Sequence, residues 1–356
     1  MIYHVYAGSY MGEKGGDGIY LLELNTEKKK LVIRNSYPEV SLNPSFLCVT
    51  QNWLFSVSEL EDCGYIHSFL RNCVTGELEH VNKIKTEGTA MCHLYLWPDG
   101  KYISAANYMS GSLVVCRVDE KTGVQEICDF KQHEGVGFEN QVRQEGPHIH
   151  ATCVSGDGKR LYASDLGLDQ IFCYEILDGG KLLPGKQDMQ IHTPKGTGPR
   201  HFVFSKDERF LYVLTEMGSK LLVYESEKDG ESFREIQIVS TLPESFGDFN
   251  LGADIHFSMD ERFLYTSNRG ADSIAAFRVS RENGTVEIIG HYSCGGSFPR
   301  NFCITPDDRF VLIANQKSGN VVLCERNPQT GEIGEPLSDV RIPEAVFVKA
   351  VKAAEI

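Results

Sequence analysis

Apolar and polar positions alternate along nearly the whole chain in short runs, and these runs recur in a fixed order. An apolar strand gives way to a tight polar turn, a second apolar strand, a short loop and a third strand. One copy reads His201-Phe-Val-Phe-Ser-Lys-Asp207-Glu-Arg-Phe-Leu-Tyr-Val-Leu-Thr-Glu216. The next two run from Ile255 through Asp260 to Arg269, and from Asn301 through Asp307 to Asn315. Runs this short with alternating polarity predict β-strands, and no stretch has the period of a long amphipathic helix.

The turn aspartate marks the repeat. It recurs at Asp99, Asp157, Asp207, Asp260 and Asp307, in steps of 58, 50, 53 and 47 residues, and a worn turn at Asn52 lies 47 before Asp99. Units of about 40–50 residues with several strands each are the mark of propeller blades. Asp-Gly and Asp-Glu-Arg suit a hairpin, because Asp tolerates the turn backbone and Gly supplies positive φ. A second turn follows the third strand at Val74-Thr-Gly76, Lys121-Thr-Gly123, Glu282-Asn-Gly284 and Gln329-Thr-Gly331, which makes four strands per blade.

The two ends complete the count. Val5 to Tyr10 and Gly18 to Leu24 match the second and third strands of a blade that lacks its first, and Pro343 to Val348 matches that missing first strand. The expectation is an all-β, seven-bladed β-propeller of four-stranded blades. It forms a single domain over residues 1–356, its last blade closed by N- and C-terminal strands. Such a clasp leaves no exposed sheet edge to invite aggregation.

Blade topology converts sequence positions into candidate chemistry. The loop that precedes a first strand and the end of the second strand should lie on one face, with the turn aspartates on the other as structural residues. The first set includes Gly146-Pro-His148-Ile-His150, Gly198-Pro-Arg200-His201, Asp254-Ile-His256 and Pro299-Arg300-Asn301. The second includes Glu59, Asn107, Asp165, Glu216, Arg269 and Asn315. A guanidinium is a planar fork that matches phosphate or carboxylate oxygens. A His or Glu beside it can move a proton, and Arg can stabilise an oxyanion. This combination suits ester or lactone hydrolysis without a metal or a nucleophilic Ser. The competing structural readings are loop hydrogen bonding for His148 and His150 and blade-to-blade ion pairing for Arg200, Glu216 and Arg269. His148 and His150 also have metal-ligand spacing, but no companion ligand set accompanies them, so no metal or cofactor is expected. His67, His80, His93 and His133 carry no signal.

Charge narrows the partners. Thirty-five basic against 49 acidic residues leave a net charge of −14, which disfavours nucleic acid and anionic membranes. Any anionic ligand then needs a local basic pocket. The eleven cysteines form no Cys-x-x-Cys pair, and several lie in apolar strands as small hydrophobes. No signal-like N-terminus and no apolar run of about 18 residues is present, so a reducing cytoplasm is expected. Oligomeric state leaves no trace in the sequence.

These residues resemble a known family. Gly146-Pro-His148-x-His150, Gly198-Pro-Arg200-His201, Glu216, Leu264-Tyr-Thr-Ser-Asn-Arg269-Gly270 and Phe298-Pro-Arg300 with Ala314-Asn-Gln316 are similar to the seven-bladed propeller lactonases. That group includes bacterial 6-phosphogluconolactonases and, as a relative, a fungal carboxy-cis,cis-muconate lactonizing enzyme. The likeness spans essentially the whole chain, and Asn43-Pro-Ser45 fits it too; the first blade is degenerate, and Asp254 stands where relatives commonly carry Glu. The resemblance implies a site of one His, two Arg and a Glu: His148 or His150, Arg200, Glu216 and Arg269, with His201, Asp254 and Arg300 contacting substrate. Either His or Glu216 is then the base. It further implies opening of 6-phosphogluconolactone, a small anionic sugar-acid lactone, in the pentose phosphate pathway. The alternatives are a lactonase or cycloisomerase for another organic acid, such as a muconolactone, and a non-catalytic sugar-acid-binding propeller.

Overall fold

The computed structural model describes residues 1–12, 15–38, 40–138, 143–227 and 230–354. Its strands assemble into seven antiparallel sheets, each built from consecutive strands except where the termini meet, and no α-helix occurs among the described residues. These are the seven blades of a β-propeller, as the repeat predicts.

The blades are numbered along the chain. Blade one comprises Leu47–Val49, Trp53–Glu59, Gly64–Arg71 and Leu78–Thr86. Blade two comprises Met91–Leu96, Tyr102–Asn107, Ser112–Asp119 and Gly123–Gln132. Blade three has Ile149–Val154, Arg160–Asp165 and Gln170–Leu177, and its fourth strand is interrupted, with Lys181–Pro184 and Ile191–His192 both pairing to the third. Blade four has Pro199–Phe204, Phe210–Thr215, Lys220–Glu227 and Ser232–Ser240; blade five has Leu251–Phe257, Phe263–Arg269, Ser273–Val279 and Val286–Ser293. Blade six has Pro299–Ile304, Phe310–Asn315, Asn320–Arg326 and Ile333–Arg341. In blade seven the C-terminal strand Ala345–Lys352 pairs with Ile2–Ser9, followed by Ile19–Asn25 and Lys30–Tyr37. The terminal clasp is therefore present, and the degenerate first blade shows as a first strand of three residues.

Close contacts divide the chain into two units, Met1–Ser56 with Phe69–His80 and Thr241–Ile356, and Val57–Ser68 with Val81–Ser240. In the first unit, Tyr3, Val5 and Leu22 of blade seven pack on Phe310, Leu312 and Leu323 of blade six. Phe263 and Tyr265 of blade five pack on Ile313 and Val322 of blade six. In the second unit, Ala106 and Leu113 of blade two meet Ile149 and Leu161 of blade three, and Tyr162 and Ile171 of blade three meet Val213 and Leu222 of blade four. Both faces of these inner strands are covered by apolar neighbours. That is why they read as nearly continuous hydrophobic runs.

The recurring turns have distinct jobs. Ser155, Ser205, Ser258 and Thr305 each donate a side-chain hydroxyl to the aspartate two residues on. In three of the four, the same hydroxyl accepts the backbone N–H of an aromatic that opens the second strand or, at Ser155, of Arg160. The Thr-Gly turns bolt neighbouring blades together. Tyr265 donates its hydroxyl to the Gly331 carbonyl at 2.8 Å, and buried Arg326 donates to that hydroxyl at 2.7 Å. Tyr6, Gly76 and Arg71 repeat the arrangement. Gly331 sits at φ +82°, where a Cβ would lie 2.4 Å from Phe263, so glycine is required twice over.

Candidate active site

A β-bulge recurs at the start of the first strands. In blade three, Ile149 pairs with Asp165 and Ala151 with Ser164, which leaves His150 as the extra residue. In blade four, Pro199 pairs with Thr215 and His201 with Leu214, which leaves Arg200. Cys92 and Arg300 occupy the same position in blades two and six, and Ala253 and Asp254 share it in blade five. An inserted residue breaks the in–out alternation and re-aims a side chain that would otherwise follow the pleat. His150 and Arg200 thus hold equivalent, re-aimed positions in adjacent blades.

In the unit built on Val57–Ser68 and Val81–Ser240, six side chains close a circuit. Glu216 is at its centre, with 2% of its side chain exposed. Arg200 donates Nε to Glu216 Oε2 at 3.0 Å, and Arg143 donates Nη1 to Oε1 at 2.5 Å. Arg200 Nη1 reaches His201 Nε2 at 3.5 Å, the outer limit of a hydrogen bond. Arginine cannot accept, so this nitrogen of His201 carries the lone pair. The His201 ring meets the His150 ring edge-on with centroids 5.1 Å apart, and His150 meets Tyr108 at 5.7 Å. The Tyr108 hydroxyl closes the circuit on Arg143. Burial, then the nearby Glu216 charge, pushes the Tyr108 phenol up to about 12 against the lowering effect of Arg143, so the phenol is neutral at physiological pH. His93 packs edge-on against His201 at 5.5 Å.

His148 takes a different place from His150. Its ring stacks on Tyr108 with centroids 4.5 Å apart. Its Nδ1 faces the Tyr108 carbonyl at 2.8 Å and its Nε2 faces Glu145 Oε1 at 3.1 Å. Both nitrogens therefore face acceptors, of which a neutral ring can donate to only one. Asp165, wholly buried, fixes this loop from two sides. Its Oδ1 accepts the His148 backbone N–H at 2.8 Å, and its Oδ2 accepts His133 Nδ1 at 2.7 Å. His133 Nε2 in turn meets the Tyr174 hydroxyl at 2.8 Å.

The other unit holds the remaining expected residues. Asp254 is buried and saturated: its carboxylate accepts from Asn301 Nδ2 at 2.5 Å, His256 Nε2 at 2.8 Å and the Ile255 N–H at 3.0 Å. That pattern ties blade five to blade six. Arg269, also buried, donates Nη2 to the Gly252 carbonyl at 2.9 Å, and its guanidinium lies 5.4 Å from the Phe298 ring centroid. Lys317 approaches the same ring at 4.2 Å. Phe298 adopts φ +68°, a strained value for an aromatic residue; Gly198 stands at the matching point of blade four with φ +63°. Arg300 is partly exposed, its guanidinium 5.2 Å from the Tyr10 ring.

Of the expected residues, His150, Arg200, His201 and Glu216 come together directly, His148 joins them through Tyr108, and Asp254, Arg269 and Arg300 belong to the first unit. The sequence reading missed Arg143, Tyr108, His93 and His133. Tyr108 follows the blade-two strand end at Asn107 and could have been included with it. Arg143 lies in a connection outside the repeat, where no periodic signal reaches it.

The family model for "Lactonase, 7-bladed beta-propeller" matches residues 4–350. The chain belongs to the seven-bladed β-propeller lactonase family. A curated 6-phosphogluconolactonase of Bacillus subtilis is 34% identical over 97% of both chains. Among solved structures, the Pseudomonas aeruginosa periplasmic gluconolactonase superposes with a TM-score of 0.91 at 28% identity, covering 99% of this chain and 100% of its own. A structure titled a putative 6-phosphogluconolactonase from Bacteroides fragilis gives 0.89 at 30% identity, covering 99% and 98%. Within this lactonase all eleven cysteines are unbridged, and no helix among the described residues is long and apolar enough to cross a membrane.

Proposed function

We propose that this lactonase hydrolyses the lactone of a phosphorylated sugar acid, 6-phosphogluconolactone being the substrate to which its relatives' names point. The observation that carries this reading is the closed circuit of His150, His201, Arg200, Glu216, Arg143 and Tyr108. In it, both oxygens of Glu216 are held by guanidinium donors. A carboxylate engaged in this way serves to orient the arginines rather than to accept a proton. Both nitrogens of His148 face acceptors. His150, re-aimed by its bulge beside His201 and Tyr108, is therefore the base in this proposal.

The chemistry runs as follows. His150 takes a proton from water as the water oxygen bonds to the lactone carbonyl carbon. Arg200 stabilises the resulting alkoxide, an oxyanion-hole role of the kind that contributes about 3–4 kcal/mol of barrier lowering. Collapse of the alkoxide breaks the ring C–O bond, and the ring oxygen takes the proton from His150. The products are the open acid and an alcohol. Arg269 enters this reading from the sequence pattern alone, as a second anion-binding guanidinium.

The test is hydrolysis of freshly generated 6-phosphogluconolactone, followed beside the spontaneous reaction. Opening faster than the spontaneous rate is expected. No acceleration would end the proposal, and a muconolactone turned over in preference would move the substrate class.

A further inference from the structure

We propose that His4 makes the joint between blades seven and one acid-sensitive: protonation of its ring expels the Arg71 guanidinium that holds the joint together. The joint belongs to the blade in which the two chain ends pair.

The same joint is built twice, which isolates what His4 adds. Between blades five and six, Arg326 donates Nε to the Tyr265 hydroxyl, which donates to the Gly331 carbonyl. Arg326 Nη1 donates to the Asp308 carbonyl at 2.7 Å, and Nη2 finds no acceptor among the described residues. The guanidinium lies 5.3 Å from the ring centroid of Phe263, the residue that a Cβ on Gly331 would strike. Between blades seven and one, Arg71 donates Nε to the Tyr6 hydroxyl at 2.9 Å and Nη1 to the Gln51 carbonyl at 2.6 Å. Tyr6 donates in turn to the Gly76 carbonyl at 2.6 Å. Here His4 stands where Phe263 stands, two residues before the tyrosine and against the turn glycine. Arg71 Nη2 approaches its Nδ1 at 2.9 Å.

That contact fixes a protonation state. A guanidinium donates from every nitrogen and accepts at none, so His4 Nδ1 carries a lone pair and the ring is neutral. A proton added there sets N–H against N–H and positive against positive charge between two buried side chains. Burial first and the Arg71 charge second push the ring below its usual 6.5, against Glu23 and a backbone hydrogen bond with Val74. Glu23 lies across the strand pair from His4, and both its oxygens already accept from Arg34. Val351, opposite His4 on the C-terminal strand, is apolar. The Tyr6 phenol, pushed up to about 12 chiefly by burial, is neutral. Arg71 lines a cavity of about 560 Å³ with Gln51, Cys73 and Lys352, so a displaced guanidinium has room to move. Its departure takes the donor from Tyr6 and the bond from Gln51, whereas Phe263 has nothing to titrate. A ring whose folded value is depressed contributes stability that is present above 6.5 and lost as the pH falls below it.

The experiment compares the parent protein with His4→Phe, which copies the Phe263 joint, in urea titrations from about pH 7.5 to about pH 5.5. Below 6.5 the unfolding constant of the parent should rise by up to about tenfold per pH unit more than that of His4→Phe, the slope of one proton. Hydrogen–deuterium exchange, corrected for intrinsic rates, gives a local reading in the parent alone. The Gly76 and Gly331 amides are matched probes, donating to the carbonyls of Asn72 and Asn327 that open their turns. Over the same pH range Gly76 should lose protection while Gly331 keeps it. Equal pH slopes for parent and variant, or parallel exchange at the two glycines, would overturn the assignment. If His4→Phe does not fold, the exchange comparison decides by itself.

Discussion

The turn aspartates show how one side chain sets a hairpin and, with it, an acid limit on stability. Burial acts to raise the Asp260 carboxyl, but hydrogen bonds from Arg262 and Ser258 outweigh it and hold the group at about 2 instead of 3.8. Asp157 and Asp207 are lowered too, for like reasons: burial opposes, and the serine two residues earlier prevails. A folded-state value below the unfolded one contributes stability that is fully present above pH 3.8 and is lost as the pH falls through about 2. Urea titrations of Asp260→Asn against the parent protein should show a stability gap that is widest above pH 4 and closes toward pH 2; a pH-independent gap would contradict the assignment. The sequence marked these aspartates as structural because each sits in a repeated turn. His150 precedes Ser155 by the same spacing as Arg200 precedes Ser205, and the shared bulge is the physical content of that alignment. Alignment alone could not separate His148 from His150, because the distinction lies in which acceptors face the His148 ring.

The inner strands were legible because they bury both faces and therefore repeat their apolar runs. Connections were not, because their geometry depends on partners distant in the chain. The interrupted fourth strand of blade three, with its two segments on one neighbour, left no signal. Neither did Arg143, whose role comes from Glu216 some 73 residues later. The sequence expected the terminal strand over Pro343 to Val348; it runs Ala345–Lys352, starting two residues later and ending four later, and it carries a clear consequence. Val346, Phe347 and Val348 are all buried, at about 1.5–3 kcal/mol each, a sum comparable with the stability of a whole domain. Its removal would also leave Ile2–Ser9 with an unpaired edge and strip Asn301 of the Val348 N–H that its Oδ1 accepts. A chain ending at residue 344 should lose its cooperative thermal transition and aggregate. A parent-like melting temperature for that truncation would show the clasp to be dispensable.

For the molecule as a whole, the repeat pointed to the architecture and the loop and strand-end motifs to the family, whereas charge bore only on partners. A net charge of −14 called for a local basic site if the ligand is anionic, and Arg143 and Arg200 meet at Glu216 within one unit. We propose that residues 1–356 act as one domain, as the seven-blade count implies. The account turns on the side chains of that circuit performing lactone opening, with His150 as base and His148 as a loop anchor. Its most direct test is kcat for His150→Asn and His148→Asn on freshly generated 6-phosphogluconolactone, with melting temperatures recorded alongside. The account predicts a fall of about 10²- to 10⁴-fold for His150→Asn, the usual worth of general base catalysis, with folding retained and a much smaller loss for His148→Asn. A folded His150→Asn protein that keeps the parent rate would contradict it.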